Sequence, residues 1–299
     1  MFTGVYTALA TPFNKQGQVD YPVLERLIQA QLAARIEGFV LLGTTAEAAT
    51  LSAEEKAEIL RFCTPRIKGR AKIIIGTGTN DTISTLQNTR AALAFEPDGV
   101  LIVTPYYNKP NPNGLVAHYK QAAALGVPVI LYHIPGRTGL KLSAATLDRL
   151  LNEVPQIAGV KESDYDMAHV TDTAVKYSSK LSYLCGNDDL FPQYLALNSS
   201  GIISAAANVF APAFVQIYKL FQEGRTKESF ALFAQLYPLI KDWVDYIAGE
   251  MQSHYGKALR RYLGFGTEAV RLPLGEISTE NKQKIDRLLQ TADKNLFIK

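Results

Sequence analysis

Eight short runs of apolar, largely β-branched residues constrain this chain more than any other feature: VYTALA near 5–10, GFVLLG at 38–43, KIIIGTG at 72–78, GVLIVTP at 99–105, VPVILYH at 127–133, IAGVKES at 157–163, LSYLCGN at 181–187 and GIISAAA at 201–207. None alternates clearly between apolar and polar residues, the pattern of parallel strands covered on both faces. Helix signals lie between them. Asp20 precedes Leu24, Leu27, Ile28 and Leu32 on one helical face, Ser52 and Glu55 form a capping box ahead of Ile59 and Leu60, and Ser143 precedes Leu147, Leu150 and Leu151. Strand and helix alternating eight times predict an α/β fold of the (β/α)8, or TIM, barrel type. From about Gly224 the pattern turns wholly helical, through SFALFAQLYPLIKDWVDYI, HYGKALRRYLGF and NKQKIDRLLQTADKNLF. The expected division is a barrel over 1–224 and a helical domain over 225–299.

With 299 residues, 47% of them hydrophobic and 20% charged, the chain can bury a large core, and disordered and fibrous classes are excluded. Its 31 basic and 28 acidic residues are spread without long like-charged blocks, so no footprint for nucleic acid or an anionic membrane arises. The opening MFTGVYTALATPF lacks the basic and continuous apolar regions of a signal peptide. Cys63 and Cys185 sit in apolar contexts, as small buried hydrophobes do in a reducing compartment. A cytoplasmic protein is expected. Leu190 to Tyr218 carries no charged residue, but Asn198, Ser199, Ser200 and Gly201 interrupt it and Pro192 and Pro212 flank it. A buried strand beside a helix fits that pattern better than a membrane span.

A barrel of this kind gathers its chemistry at the carboxyl ends of its strands. Those ends are loaded here: GTTAE after the second run, PYYN after the fourth, YHIPGRTG after the fifth, GNDD after the seventh, and Lys161 closing the sixth. A single lysine at a strand end is commonly a snorkelling surface charge. At a barrel mouth it is a candidate nucleophile toward a carbonyl, which requires the neutral amine. Free lysine is only about one part in a thousand neutral near pH 7.4, and apolar surroundings disfavour an ammonium. Lys161 is therefore a candidate Schiff-base lysine. Imine chemistry moves protons to and from the carbonyl oxygen, so Tyr132, at the end of the adjacent strand, is a candidate acid/base, with Tyr106 and Tyr107 as further phenols. Gly43, Thr44 and Thr45 follow a strand and precede a capped helix, where hydroxyls and N–H groups can hold a carboxylate. Arg137, in a glycine-containing loop, could clamp a second carboxylate. The GTGTN stretch at 76–80 lacks the third glycine and downstream acid of a dinucleotide fingerprint, and neither the cysteines nor the histidines have metal-site spacing. No cofactor is expected.

Taken together, GTTAEAATL at 43–51, VTPYYNKP at 103–110, ILYHIPGRTG at 130–139, GVKES at 159–163 and GNDD at 186–189 resemble the dihydrodipicolinate synthase family, over essentially the whole chain. The resemblance implies condensation of pyruvate with L-aspartate 4-semialdehyde through an imine on Lys161. In it Tyr132 acts as acid/base, and Thr44 and Tyr107 complete a proton relay. Thr45 holds the pyruvate carboxylate and Arg137 that of the semialdehyde, with Gly186 and Ile203 among the substrate-binding positions. It also implies a homotetramer or homodimer in which Tyr107 reaches a neighbouring subunit's site. Three positions depart from the usual pattern: Ala46 stands for a glycine, His133 for an asparagine and Asn187 for an acid. Ser84, Ala53 and Lys56 occupy the positions where relatives bind lysine as a feedback inhibitor. Without an acid there, lysine inhibition is expected to be weak or absent. Two other readings stay open at this point. One is a pyruvate aldolase such as an N-acetylneuraminate lyase, which usually has an apolar residue where Arg137 stands. The other is an inactive barrel serving as a binding module.

Overall fold

The computed structural model describes residues 1–244, 264, 266–276 and 278–299. Each expected apolar run is a strand: β1 Gly4–Ala8, β2 Gly38–Leu41, β3 Lys72–Gly76, β4 Gly99–Val103, β5 Val129–His133, β6 Ile157–Glu162, β7 Ser182–Cys185 and β8 Gly201–Ser204. They close in chain order into a parallel eight-stranded barrel, a TIM barrel. The strands stop short of the runs' polar ends. Thr77, Thr104 and Gly186 lie just past β3, β4 and β7, and each still donates its N–H to a neighbouring strand, to Leu101 O, Tyr132 O and Glu162 O respectively.

The helices follow from their caps and apolar stripes. The Asp20 carboxylate accepts the Val23 N–H at 3.2 Å and opens α1, Tyr21–Ala33, which buries Val23, Leu24, Leu27 and Ile28. Ser52 and Glu55 close the expected box at the start of α2, Ala53–Ile67. Next come α3 Thr82–Leu93, α4 Pro112–Ala123, the one-turn α5 Pro135–Thr138, α6 Ala144–Glu153 capped by Ser143, and α7 Met167–Tyr177 capped by Asp166. The uncharged stretch from Leu190 resolves into α8 Phe191–Ala196, β8 and α9 Ala207–Gln222, followed by α10 Thr226–Val244. Among the described residues no helix is long and apolar enough to cross a membrane. Of the three tail segments read as helical, the first forms α10 up to Val244 and the third forms the helix Thr279–Thr291. HYGKALRRYLGF lies, but for Gly264, outside the described residues.

Residues Met1–Gly4 and Lys72–Ile203 form one compact unit, and Val5–Ala71 with Ser204–Lys299 a second. In the first, β3 to β8 pair in parallel, with Tyr132 of β5 opposite Lys161 of β6, and Lys161 opposite Leu184 of β7. The chain start is tied to β8 by the Gly4 N–H donating to Ser200 O at 2.8 Å. Gly201, at φ +148, packs so closely there that a Cβ would lie 1.9 Å from Gly4 O, which only glycine avoids. In the second unit β1 pairs with β2. Buried Thr7 and Gln31 pair there: Thr7 Oγ1 donates to Gln31 at 2.7 Å, and Gln31 Nε2 to Ala207 O at 2.8 Å.

Candidate active site

Lys161 and Tyr132 share one rung of the β5/β6 ladder, so their side chains leave the sheet on the same face. The next rung, His133 opposite Glu162, points the other way and meets His169 of α7, which makes it the helix side. Lys161 and Tyr132 therefore face the barrel interior. Lys161 is only 7% exposed, and its Nζ lies 4.2 Å from the centroid of the Tyr132 ring, itself buried. A cationic amine over an aromatic face is held electrostatically, and a neutral one keeps the same van der Waals contact. The two residues singled out as nucleophile and acid/base are thus side by side in a buried place.

Gly186, just past β7, is the floor under that lysine. A Cβ there would come within 3.0 Å of Lys161 Cε, 2.9 Å of Glu162 O and 1.9 Å of Ser163 Oγ. The Ser163 hydroxyl could rotate away, whereas the carbonyl cannot, because it accepts the Gly186 N–H at 2.7 Å. Gly186→Ala is therefore expected to push the lysine stem aside and lower kcat by about 10²-fold, the scale of a displacement near 1 Å. Steady-state kinetics on the purified variant, with its circular dichroism unchanged, would check this. Ile203 lies on β8 and is fully buried.

Tyr107 and Arg137 belong to the same unit but are not buried. Tyr107 is 89% exposed and holds φ +71, a left-handed backbone uncommon for a bulky residue. Its N–H reaches Thr138 O at 3.4 Å, which links the loop after β4 to the α5 turn that carries Arg137. Arg137 is exposed on that turn.

Thr44 and Thr45 follow β2 in the second unit, Thr45 buried and Thr44 exposed. The expectation that they stand at a capped helix's N-terminus is corrected here. They form the 3-10 turn Thr44–Ala46, a second such turn Ala48–Thr50 follows, and α2 begins only at Ala53. Within the turn the N–H groups of Ala46 and Glu47 donate to Gly43 O and Thr44 O. The left-handed residue of the turn is Glu47, at φ +54, and Ala46 needs no glycine-like backbone. Glu47 is held in place by Arg271, whose N–H donates to Glu47 Oε2 at 2.9 Å. The Arg271 guanidinium donates to Thr50 O, Gly17 O and both oxygens of Glu55.

That clamp has a pH signature. The hydrogen bonds from Arg271 hold the Glu55 carboxyl down to about 2. A carboxyl depressed on folding contributes stability that is complete above its unfolded value of about 4.3 and lost as pH falls through its folded value. Arg271→Ala should thus be clearly less stable than the parent protein at neutral pH, and the gap should close as pH falls from about 5 to 2. Thermal unfolding midpoints of both proteins across that range measure it.

Two clusters join residues that no single motif brings together. The Arg271 clamp joins residues far apart in the chain, and nothing local announces it. His133 and Glu162 did carry a signal: each follows a site residue on its strand and is polar where a helix-facing position should be apolar.

The whole chain agrees with this local picture. The sequence profile described as the Dihydrodipicolinate synthetase family matches residues 1–292. The chain is 36% identical over 293 residues to the 4-hydroxy-tetrahydrodipicolinate synthase of Brachyspira hyodysenteriae, covering 97% of each, and 36% identical over 292 residues to that of Endomicrobium trichonymphae, covering 97% of this chain and 98% of the relative. Its fold superposes on the 4-hydroxy-tetrahydrodipicolinate synthase of Methylacidiphilum fumariolicum SolV with a TM-score of 0.88 at 34% identity, over 97% and 95% of the two chains. For the dihydrodipicolinate synthase of Aquifex aeolicus the TM-score is 0.89 at 33% identity, over 100% of both. With a lysine and a tyrosine paired at the mouth of such a barrel and likeness along its full length, the chain belongs to the dihydrodipicolinate synthetase family.

Proposed function

We propose that the protein is a 4-hydroxy-tetrahydrodipicolinate synthase that condenses pyruvate with L-aspartate 4-semialdehyde through Lys161. The observation carrying this reading is the buried Lys161 amine set 4.2 Å above the Tyr132 ring. The neutral amine adds to the keto carbon of pyruvate, and the carbinolamine loses water to give an imine. Loss of a methyl proton gives the enamine, whose carbon attacks the aldehyde of the semialdehyde. The amino group of the second substrate then displaces Lys161, closes the ring and frees the enzyme. The lysine is the covalent carrier, and no external cofactor enters.

In this scheme Tyr132 moves the protons of the carbonyl and carbinolamine oxygens, with Thr44 and Tyr107 as relay partners. Thr45 binds the pyruvate carboxylate, and Gly186 and Ile203 shape the space around the imine. The exposure and strained backbone of Tyr107 support a role completed by a second copy of the chain, in a homodimer or homotetramer. Residues 1–224 would form the catalytic barrel and 225–299 a helical domain. Free, buried Cys63 and Cys185 support a cytoplasmic home.

Arg137 would hold the carboxylate of the semialdehyde, so Arg137→Ala is expected to raise KM for that substrate by about 10-fold or more and leave KM for pyruvate nearly unchanged. Initial rates with each substrate varied in turn measure this. The reaction itself is tested by turnover of pyruvate with L-aspartate 4-semialdehyde against N-acetylmannosamine as acceptor. Turnover with the semialdehyde alone is expected; turnover with the sugar alone would place the protein among the aldolases.

A further inference from the structure

On the helix side of β5 and β6, directly behind Tyr132 and Lys161, lies a buried polar network that the reaction scheme leaves unused. Glu162 is 0% and His133 1% exposed. His133 Nδ1 lies 2.8 and 2.9 Å from the two Glu162 oxygens. Oε1 also accepts the Asp164 N–H at 2.8 Å, and His169 Nε2 of α7 lies 3.6 Å from Oε2. One carboxylate thereby connects β5, the loop after β6, and α7. The Glu162 carbonyl adds a link to β7's exit by accepting the Gly186 N–H, and the Ser163 N–H donates back to His133 O at 2.9 Å.

Histidine, glutamate and histidine with donor atoms within 4.8 Å of one another could also hold a cation. The proton positions decide against that. The Leu142 N–H donates to His133 Nε2 at 3.0 Å, so this nitrogen carries a lone pair and the ring proton sits on Nδ1, the atom a cation would have to take. The network is one of a proton donor and a carboxylate. Burial alone would push the Glu162 carboxyl up, but the His133 hydrogen bond, the nearby His169 imidazole and the Asp164 N–H outweigh it and hold it below its ordinary value. The Glu162 carboxylate raises the His169 imidazole. The remaining ionisable groups facing the pair are Asp164 with its partner Lys141, 3.0 Å away, Tyr183 and Cys185 of β7, and Tyr194 of α8.

We propose that His133 and Glu162 are positioning residues for the Tyr132–Lys161 pair. Their hydrogen bond locks the outward rung of β5 and β6, and the adjacent inward rung inherits its register, which keeps the Lys161 amine over the Tyr132 ring. This rests on Lys161 being the imine-forming residue. A buried carboxylate that loses its donor must either find another or shift its strand end, and the catalytic geometry moves with it.

Three variants test the proposal. His133→Leu removes the donor, Glu162→Gln removes the charge, and His133→Asn keeps a donor of the same polarity toward Glu162. Kinetics per folded enzyme, normalised by unfolding curves, should show kcat lower by about 10- to 100-fold for His133→Leu and Glu162→Gln, with KM for pyruvate within about threefold of the parent. His133→Asn should recover most of kcat. Equal kcat in all three, or His133→Asn as impaired as His133→Leu, would overturn the proposal, as would losses that vanish once unfolded protein is discounted. Borohydride trapping of pyruvate on the parent protein separates the two levels. Trapping at Lys161 with unaffected variants sinks only the positioning role, whereas no trapping in the parent sinks the Lys161 assignment and this inference with it.

Discussion

Lys161→Ala is expected to lose turnover by at least about 10⁴-fold while keeping the fold, because no other group can form the covalent imine. The residue is 7% exposed, at the end of a strand whose other residues are apolar or, like Glu162, turned to the opposite face. Taking a cationic head out of water is costly, and its principal described neighbour is the face of Tyr132. Truncation should therefore leave the melting temperature unchanged or raise it. Substantial activity in Lys161→Ala would show that another amine, or no amine, carries the reaction; a collapse in melting temperature would show that the lysine holds the barrel together.

Tyr132→Phe separates the two tasks of the tyrosine. The ring stays, and with it the surface over which the Lys161 amine lies, while the hydroxyl that would shuttle protons is gone. We expect kcat to fall by about 10²- to 10⁴-fold, the range of a lost general acid/base, with KM for pyruvate changed little. Stopped-flow measurement of imine formation would locate the defect at the carbinolamine and later proton transfers. A variant as fast as the parent would return the tyrosine to a packing role.

The barrel was legible because both-faces-covered strands leave short continuous apolar runs and helix starts carry caps. Asp20, Ser52 with Glu55, and Ser143 all cap where the pattern placed them. Six of the eight runs extend two or three residues past their strands, because the chain stays extended there and still gives single N–H groups to the neighbouring strand, as Thr77, Thr104 and Gly186 do. Lys161 and Tyr132 were legible as strand-end residues, and the ladder register then put them on one rung. The turn at Thr44 and Thr45 was not: Ser52 marked the next helix correctly, but the two 3-10 turns that intervene have no comparable signature. Arg271 could not be found by local pattern at all, because its partners Gly17, Thr50 and Glu55 are more than two hundred residues away.

Every step of the proposed reaction depends on Lys161 carrying pyruvate as an imine. The measurement that tests it most directly is reduction of the protein with borohydride in the presence of pyruvate, followed by digestion and mass analysis of the peptide containing GVKES. A reduced pyruvyl adduct on Lys161, absent without pyruvate and absent in Lys161→Ala, is the predicted result. Full turnover with no adduct at Lys161, or an adduct on a different lysine, would contradict it.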